Sequence, residues 1–518
     1  MNTDVRLTKP LSRREFLKFT SLLPFLYTLP STSKTYELTG TTEKPNVLLL
    51  VFDAWSASNI SLYGYPRLTT PNLDRLAQNA TVYHNHFAGG HYTTPGTASL
   101  LTGTTPWIHQ AFDFNQTVID SLSRKSIFNT LPDYHRLAYS HNPLVDTLLR
   151  QFMVDIDDLT PFKDLYLKDP LSLINYIRKD VDIGTISQNR ILNQSDDGFS
   201  YSLYLSRIYE TLSRRKMENL LEKLPRGITN YGDYNYYLLE DAIDWLSETI
   251  KASPTPFLGY YHFYPPHDPY FTRADFIDAF ATDPYRVISK DPHFFTNKPR
   301  QVIKEQQRWY DEFILYVDSE IARLFTTLEN EGILENTWII LTSDHGEMFE
   351  RNILGHSEPV FYQPLMRIPL LIFPPGGDLR NDIYTNTSAV DLLPTICYLT
   401  GQQIPSWSEG NILPGFTETP LPVNREITSV QVESIDKDGL IDQATAMLVQ
   451  DQYKFIWYFG YDQIKPDSDY MELYDIDSDP EEMKNLLKER KTVAEDLLAI
   501  LKSKISNLNK SIQDRKSS

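Results

Sequence analysis

The chain has 518 residues, 41% of them hydrophobic, enough to bury a large α/β core with a smaller appended unit. Its 49 Lys and Arg face 68 Asp and Glu, a formal net charge of −19, which excludes a broad electrostatic surface for nucleic acid but not a local pocket for one small anion. Cys397 is the single cysteine, so an intrachain disulfide, a Cys-based metal cluster and CxxC redox chemistry are excluded.

Ser12-Arg-Arg-Glu-Phe-Leu-Lys18 precedes an apolar run from Phe19 to Leu29 and resembles the export signal of the twin-arginine route. The run is shorter than the ~20 residues of a spanning helix, so residues 1–30 are expected to be a signal that is removed or kept as a membrane anchor. This places the protein in the periplasm, at the cell surface or outside the cell. Residues 31–44 read as a polar linker.

From Pro45 the pattern is that of a folded domain. Val47-Leu-Leu-Leu-Val-Phe52 is a continuous apolar run of strand length, as expected of a parallel strand covered on both faces, and it ends at Asp53. Ligands in open α/β sheets sit at the carboxyl ends of strands, although a carboxylate there can also simply cap the next turn. Pro71 to Ala77 reads as a short helix, and Thr81 to Phe87 as a strand leading into His91-Tyr-Thr-Thr-Pro-Gly-Thr-Ala-Ser-Leu-Leu-Thr-Gly103. Pro95 suits the first turn of a helix, and the Thr93 hydroxyl stands just ahead of it, where free N–H groups and the helix dipole favour a phosphate or sulfate. An ordinary Thr N-cap is the plainer alternative.

Arg136 to Ser140 reads as another strand, closed by His141-Asn-Pro. Residues 144–253 are rich in Tyr and charge, carry the basic cluster Arg214-Arg-Lys216 and have helical spacing from Tyr236 to Ile250; they are expected to form a variable insertion or cap at the substrate entrance. Pro256 to Phe263 resumes the strand pattern and delivers His262 and His267. An amphipathic helix follows from about Lys304 to Glu331, with Ile314, Val317, Ile321, Leu324 and Leu328 on one stripe. Thr337 to Thr342 is a second buried-type strand, ending in Ser343-Asp-His-Gly-Glu347. Arg367 to Phe373 is a third, and Ala389 to Leu399 a helix. Beyond Pro405, Glu426 to Val432, Thr445 to Gln450, Tyr453 to Phe459 and Glu472 to Tyr474 read as antiparallel strands, with a charged helix from Pro480 to Leu508. The expected class is α/β: a largely parallel central sheet flanked by helices over 45–405, and a small C-terminal α+β subdomain over 406–518.

Asp53, Thr93, Asp344 and His345 all fall at strand ends or at the turn. Two carboxylates, one imidazole and one hydroxyl make a coordination set for a divalent metal such as zinc or manganese. Bound to it, the Thr93 hydroxyl would lose its proton near neutral pH and become a nucleophile. His267 and His356 are candidates to donate to a nonbridging oxygen or to protonate a leaving group, and Thr97 and His262 are candidates to contact substrate. For any one His among 11, a structural role is the plainer reading.

These residues come in a familiar order. Asp53, Thr-x-Pro-x-x-x-x-Leu-x-Thr-Gly from Thr93 to Gly103, Pro106-x-x-His109, Pro266-His-Asp-Pro-Tyr270, Ser343-Asp-His-Gly-Glu347, Gly355-His356, Arg367-Ile-Pro-Leu and Leu473-Tyr-Asp-Ile-Asp-Ser-Asp-Pro480 resemble the sulfatase family of the alkaline phosphatase superfamily. The resemblance covers about residues 45 to 490 and implies an alkaline phosphatase-like sheet, an ester hydrolase and a divalent metal, calcium in sulfatases. Three departures bear on the reaction. Thr93 stands where sulfatases carry the Cys or Ser converted to formylglycine, and Thr97 where they carry an Arg; Ala54 replaces an acid often found after the first metal-binding Asp. Oxidised threonine would be a ketone, not an aldehyde. Thr-x-Pro is similar to superfamily relatives that use zinc or manganese and a Thr nucleophile on phosphodiesters and phosphonates.

The expectation is therefore an exported, metal-dependent hydrolase of phospho- or sulfoesters, with phosphodiesters favoured. Its substrate would be a small anionic ester or a sulfated or phosphorylated glycan or lipid. A phosphoryl transferase to a glycan or lipid, and a sulfatase-fold binding protein without turnover, are the alternatives; Thr94 is the alternative hydroxyl.

Overall fold

The computed structural model describes residues 44–114, 116–167, 218–231, 235–285, 287–377, 379–461 and 469–517. The twin-arginine segment, the linker up to residue 43 and the cluster Arg214-Arg-Lys216 lie outside the described residues.

The first strands are β1 (Asn46–Phe52), β2 (Thr81–Phe87), β3 (His135–Ser140) and β4 (Asp158–Leu159). A two-stranded ribbon, β5 (Asn230–Tyr231) and β6 (Asn235–Tyr236), precedes β7 (Phe257–Phe263) and β8 (Thr337–Thr342). A hairpin of β9 (Met348–Glu350) and β10 (Ile353–Gly355) leads to β11 (Arg367–Phe373), β12 (Asn381–Ile383) and β13 (Thr387–Ser388). The main sheet runs β12-β2-β11-β8-β1-β7-β3-β4, with β13 also on β2. Its pairs are parallel except that β11 is antiparallel to both neighbours.

β1 is central and buried throughout. Leu48, Leu50 and Phe52 enter one core, and Val47, Leu49 and Val51 enter the other. A period of two with apolar residues on both faces requires cover on both. One cover is the helix Arg300–Asn330 with Leu239–Ala252, where the expected stripe from Ile314 to Leu328 is buried. The other is built from the helices Thr93–Thr102, Pro143–Gln151 and Leu392–Leu399. Truncating a β1 residue such as Leu49 to Ala would cost about 2–5 kcal/mol.

Within the range 144–253, expected to be an insertion, several described elements belong to the sheet and its cores. Pro143–Gln151 buries Val145, Leu148 and Leu149 under the sheet, β4 extends the sheet beside β3, and Leu239–Ala252 buries Ile243 and Leu246. Their charged outer faces mask helices that are apolar on one side only.

The C-terminal unit is an antiparallel sheet of β14 (Ile427–Ile435), β15 (Ile441–Gln450), β16 (Tyr453–Phe459) and β17 (Tyr470–Asp475). Leu497, Leu501, Ile505, Leu508 and Ile512 of the helix Lys491–Ser517 cover one face. Met447, Val449, Ile456 and Tyr458 on the other meet Phe361, Tyr362 and Leu365 of the main domain. That helix starts at Lys491, not Pro480. The Asp479 carboxylate accepts from the Lys484 N–H, and Asn485 Oδ1 accepts from Leu473 and Leu487 N–H, local bonds that replace a helical turn.

Candidate active site

The carboxyl ends of β1, β3, β7 and β8 meet the first turn of the helix Thr93–Thr102. The register aligns Val51 with His262 and Ser140 with His262, so Asp53, Asn142 and His262 converge from three neighbouring strands. Asp344 and His345 follow β8 on the other side of β1.

The helix begins two residues before Pro95. Tyr92 is its extended cap and Thr93 its first residue, so Thr93 is neither ahead of the helix nor its N-cap. Its Oγ1 lies 3.3 Å from His345 Nε2 and 3.5 Å from Asn142 Nδ2. The Thr94 hydroxyl is fully buried with no partner. Gly96 allows the helix to abut the Asp344 loop, since a Cβ there would lie 2.3 Å from the Asp344 carbonyl oxygen. Gly103 ends the helix at φ +65, a left-handed conformation glycine takes without strain.

Asp53, His262 and Asp344 bring potential ligand atoms within 4.8 Å of one another, all buried. His262 Nε2 is 3.3 Å from Asp53 Oδ2 and 3.6 Å from Asp344 Oδ2; His345 Nε2 is 3.3 Å from Asp53 Oδ1 and 3.7 Å from Asp344 Oδ2. Asp53 Oδ1, Asp344 Oδ2 and His262 Nε2 have no well-aligned hydrogen-bond partner. Two buried carboxylates with unfilled lone pairs are costly unless a cation joins them, so this donor set fits a divalent metal. Burial opposes ionisation of Asp53, but His262, the charge of His267 and His345 hold it well below the usual range. Burial and the Asp53 charge push Asp344 up.

His262, set on the substrate side from sequence, thus faces the two carboxylates, and its Nδ1 meets the Tyr260 hydroxyl at 3.0 Å. Thr97 is fully buried one turn into the helix, with its hydroxyl near that of Tyr260. His267 and His356 do come together, their rings 4.7 Å apart, and His356 also lies 4.4 Å from the His345 ring. His356 Nδ1 donates to Glu347 Oε1 at 2.9 Å. His267 Nδ1 donates to the Asp268 carbonyl at 2.8 Å. Burial disfavours its charge, but the Asp268 carboxylate, 2.9 Å away, raises it to about 10.

Asn142 was not picked out from sequence. Its Nδ2 donates to Asp53 Oδ2 at 2.7 Å while its Oδ1 caps the helix Pro143–Gln151. The signal available was Asn before Pro at the end of a strand. Ala54, at the departure from the family pattern, sits at φ +57. Its carbonyl accepts from the Tyr310 hydroxyl at 2.6 Å and its N–H donates to Asp344 Oδ1 at 3.3 Å, offsetting a conformation that costs a non-glycine residue about 1–2 kcal/mol.

Acids and imidazoles at the carboxyl edge of a largely parallel sheet, facing a hydroxyl at a helix N-terminus, define an ester hydrolase of the alkaline phosphatase superfamily. The chain belongs to the sulfatase family, whose model matches residues 45–155 and 158–402. A second model, N-sulphoglucosamine sulphohydrolase, C-terminal, matches 357–511. The chain is 24% identical over 461 residues to the uncharacterized sulfatase YidJ of Escherichia coli K12, covering 86% of this chain and 83% of that one. It is 23% identical over 473 residues to the choline-sulfatase of Rhizobium meliloti, with the same coverage of 86% and 83%. The phosphonate monoester hydrolase of Agrobacterium radiobacter shares the fold at a TM-score of 0.63 and 19% identity, covering 90% of this chain and 96% of that one.

Proposed function

We propose that the chain is an exported hydrolase that opens phospho- or sulfoesters by attack of the Thr93 hydroxyl, and that phosphodiesters and phosphonate monoesters are its better substrates. The carrying observation is the Thr93 hydroxyl in the first turn of its helix, 3.3 Å from His345 Nε2, beside two buried carboxylates that each keep one oxygen without a hydrogen-bond donor. Asp53, His262, Asp344 and His345 would hold a divalent cation. Two imidazoles among the donors favour zinc or manganese over calcium. Such a cation lowers the pKa of the Thr93 hydroxyl and neutralises a nonbridging oxygen.

The protein's own groups account for the rest. The Asn142 amide ties Asp53 and Thr93 together. The free N–H groups of the first helical turn favour the anionic part of the ester. His267, lifted to about 10, carries a proton at neutral pH. The Thr93 hydroxyl gives up its proton to solvent; as its O–P bond forms and the ester O–P bond breaks, the His267 proton passes to the leaving oxygen. Water then displaces Thr93 from phosphorus, and the neutral His267 takes the water's proton. Family-type sulfate hydrolysis proceeds through an aldehyde hydrate that a threonine cannot supply, which supports the phosphorus preference.

Relatives named as choline-sulfatase and N-acetylgalactosamine-6-sulfatase, and a fold neighbour named as a phosphonate monoester hydrolase, support a small ester or a glycan ester as substrate class. Arg13 and Arg14 support export; among the described residues no helix is long and apolar enough to cross a membrane.

The test is metal analysis of the native protein coupled to a panel of nitrophenyl esters. About one equivalent of zinc or manganese is expected, with bis(nitrophenyl) phosphate or a phosphonate monoester turned over ~100-fold faster than nitrophenyl sulfate. Turnover confined to the sulfate would overturn the substrate preference, and metal-free, inert protein would favour the binding-protein alternative. Replacing Arg13 and Arg14 by Lys should leave precursor in the cytoplasm.

A further inference from the structure

Next to the candidate active site, and sharing only Glu347 with it, is a cavity of about 290 Å3 between the Tyr63–Pro66 turn, the long helix and the start of β11. Three planar polar side chains line it, each with a buried atom that has no hydrogen-bond partner. Gln307 and Gln363 are 7% and 5% exposed, and the Oε1 of each is unpartnered, as is Arg367 Nε. Among the described residues no carboxylate pairs with the Arg367 guanidinium, and burial disfavours its charge. Lys290, the other cation on the wall, is already held between Glu350 at 2.5 Å and Glu481 at 3.0 Å.

Glu481 and Glu482 act on the Arg367 charge without forming an ion pair with it, so its buried Nε–H still lacks an acceptor that an anion in the cavity would supply. The guanidinium fork matches a carboxylate in two parallel hydrogen bonds. Glu347, Glu350 and Glu481 share the wall with Lys290 and Arg367, so a doubly charged sulfate or phosphate is disfavoured and a single negative charge is the most the wall accommodates. The free Oε1 of each amide is an acceptor that a hydroxyl group satisfies. Tyr63 and Tyr65 bind their hydroxyls away, to the Leu370 backbone and Asp311, and so present ring carbon to the cavity.

We propose that this cavity binds a hydroxylated monocarboxylate of the sugar-acid class, either free or as a unit of a glycan. Arg367 takes the carboxylate, and Gln307 and Gln363 take hydroxyls. Because Glu347 orients His356, the occupied site touches the group behind the candidate catalytic pair.

The test is calorimetry and thermal melting of the full chain with sodium glucuronate, against glucose, sodium acetate and sodium sulfate at matched ionic strength. Glucuronate should bind in the millimolar range or tighter and raise Tm, while glucose and sulfate should bind at least ~tenfold more weakly. A uronate-terminated oligosaccharide binding more tightly than glucuronate would identify a glycan unit, and equal affinity a free sugar acid. Arg367→Met should abolish the glucuronate shift without lowering the melting temperature of the unliganded protein. Gln307→Leu should weaken binding at least ~tenfold and decides the matter should the first variant not fold. Equal shifts with sulfate or glucose, or binding retained in the folded variants, would overturn the proposal. No arm depends on turnover, so failure of the Thr93 reading would leave this result intact, and the reverse.

Discussion

Asp53 and Glu472 are both buried carboxylates, one at the edge of the main sheet and one inside the C-terminal sheet. Glu472 accepts from four tyrosines: Tyr362 at 2.8 and 3.0 Å, Tyr474 at 2.9 Å, and Tyr458 and Tyr470 at 3.3 Å. Asp53 Oδ1 and its neighbour Asp344 Oδ2 have no such donors. Burying charge is tolerable when hydrogen bonds replace water and expensive when they do not. The tyrosine-lined acid is finished as structure, whereas the centre beside Thr93 is complete only with something bound.

Substitutions at the two places should therefore fail in opposite ways. Thr93→Ala should cut turnover by ~10^4-fold or more while leaving the urea midpoint unchanged, whereas Thr94→Ala should have a far smaller effect on turnover. A stable Thr93→Ala protein that retained activity would remove the nucleophile from the centre. Asp344→Asn should lower turnover ~10^3-fold and reduce metal content, yet leave the metal-free protein as stable as before or more so, because one of two repelling carboxylates is gone. Glu472→Leu should instead cost about 1–3 kcal/mol for each tyrosine hydroxyl left unpaired, with activity per folded molecule retained. Equal destabilisation by both would erase the contrast.

A finer division separates the histidines. His267→Gln should slow esters with poor alkyl leaving groups by ~10^2-fold and nitrophenyl esters far less, since nitrophenolate departs without a proton. With His267 at about 10, the wild-type rate on alkyl esters should hold through neutral pH and fall as the pH passes that value. A last effect is on stability. Burial holds His86, His109 and His293 down to about 3, and His109 is satisfied while neutral, with Ser99 Oγ at 3.0 Å and the Ala111 N–H at 3.1 Å. Below ~6.5 the unfolded chain takes up protons that these folded sites refuse. Stability present above that pH should drain away towards pH 3 by ~1.4 kcal/mol per unit for each histidine, read as urea midpoints at pH 7, 6 and 5. A flat profile would show the three to be protonated in the fold.

Much of the scaffold was legible because turn residues bracket its apolar runs. Thr81–Phe87, Thr337–Thr342 and Arg367–Phe373 are strands over the ranges read from sequence. The Thr93 helix starts early because its first residue needs only helical dihedrals, with its free N–H in a first turn, which Thr tolerates as well as Pro. What the sequence did not disclose is sheet order. Asn142 reaches Asp53 only because β7 alone separates β3 from β1, and His262 faces two acids only because β7 pairs with β1 in that register. Neither neighbourhood leaves a periodicity to read. The charged, Tyr-rich sequence of 144–253 hid two helices that belong to the core for the converse reason, since one-sided burial looks polar on average.

The reversal of β11 within an otherwise parallel sheet has a lasting effect on what can vary. Because β8 ends and β11 starts at one rim, the excursion from Ser343 to Met366 departs and returns without crossing the sheet. His356, Glu347 and the small hairpin all ride on it. The hairpin it carries, from Met348 to Gly355, can be lengthened, shortened or exchanged with no strand re-threaded and with Asp344 and His345 left in place, which makes it the natural place for altered substrate choice to be written into this scaffold.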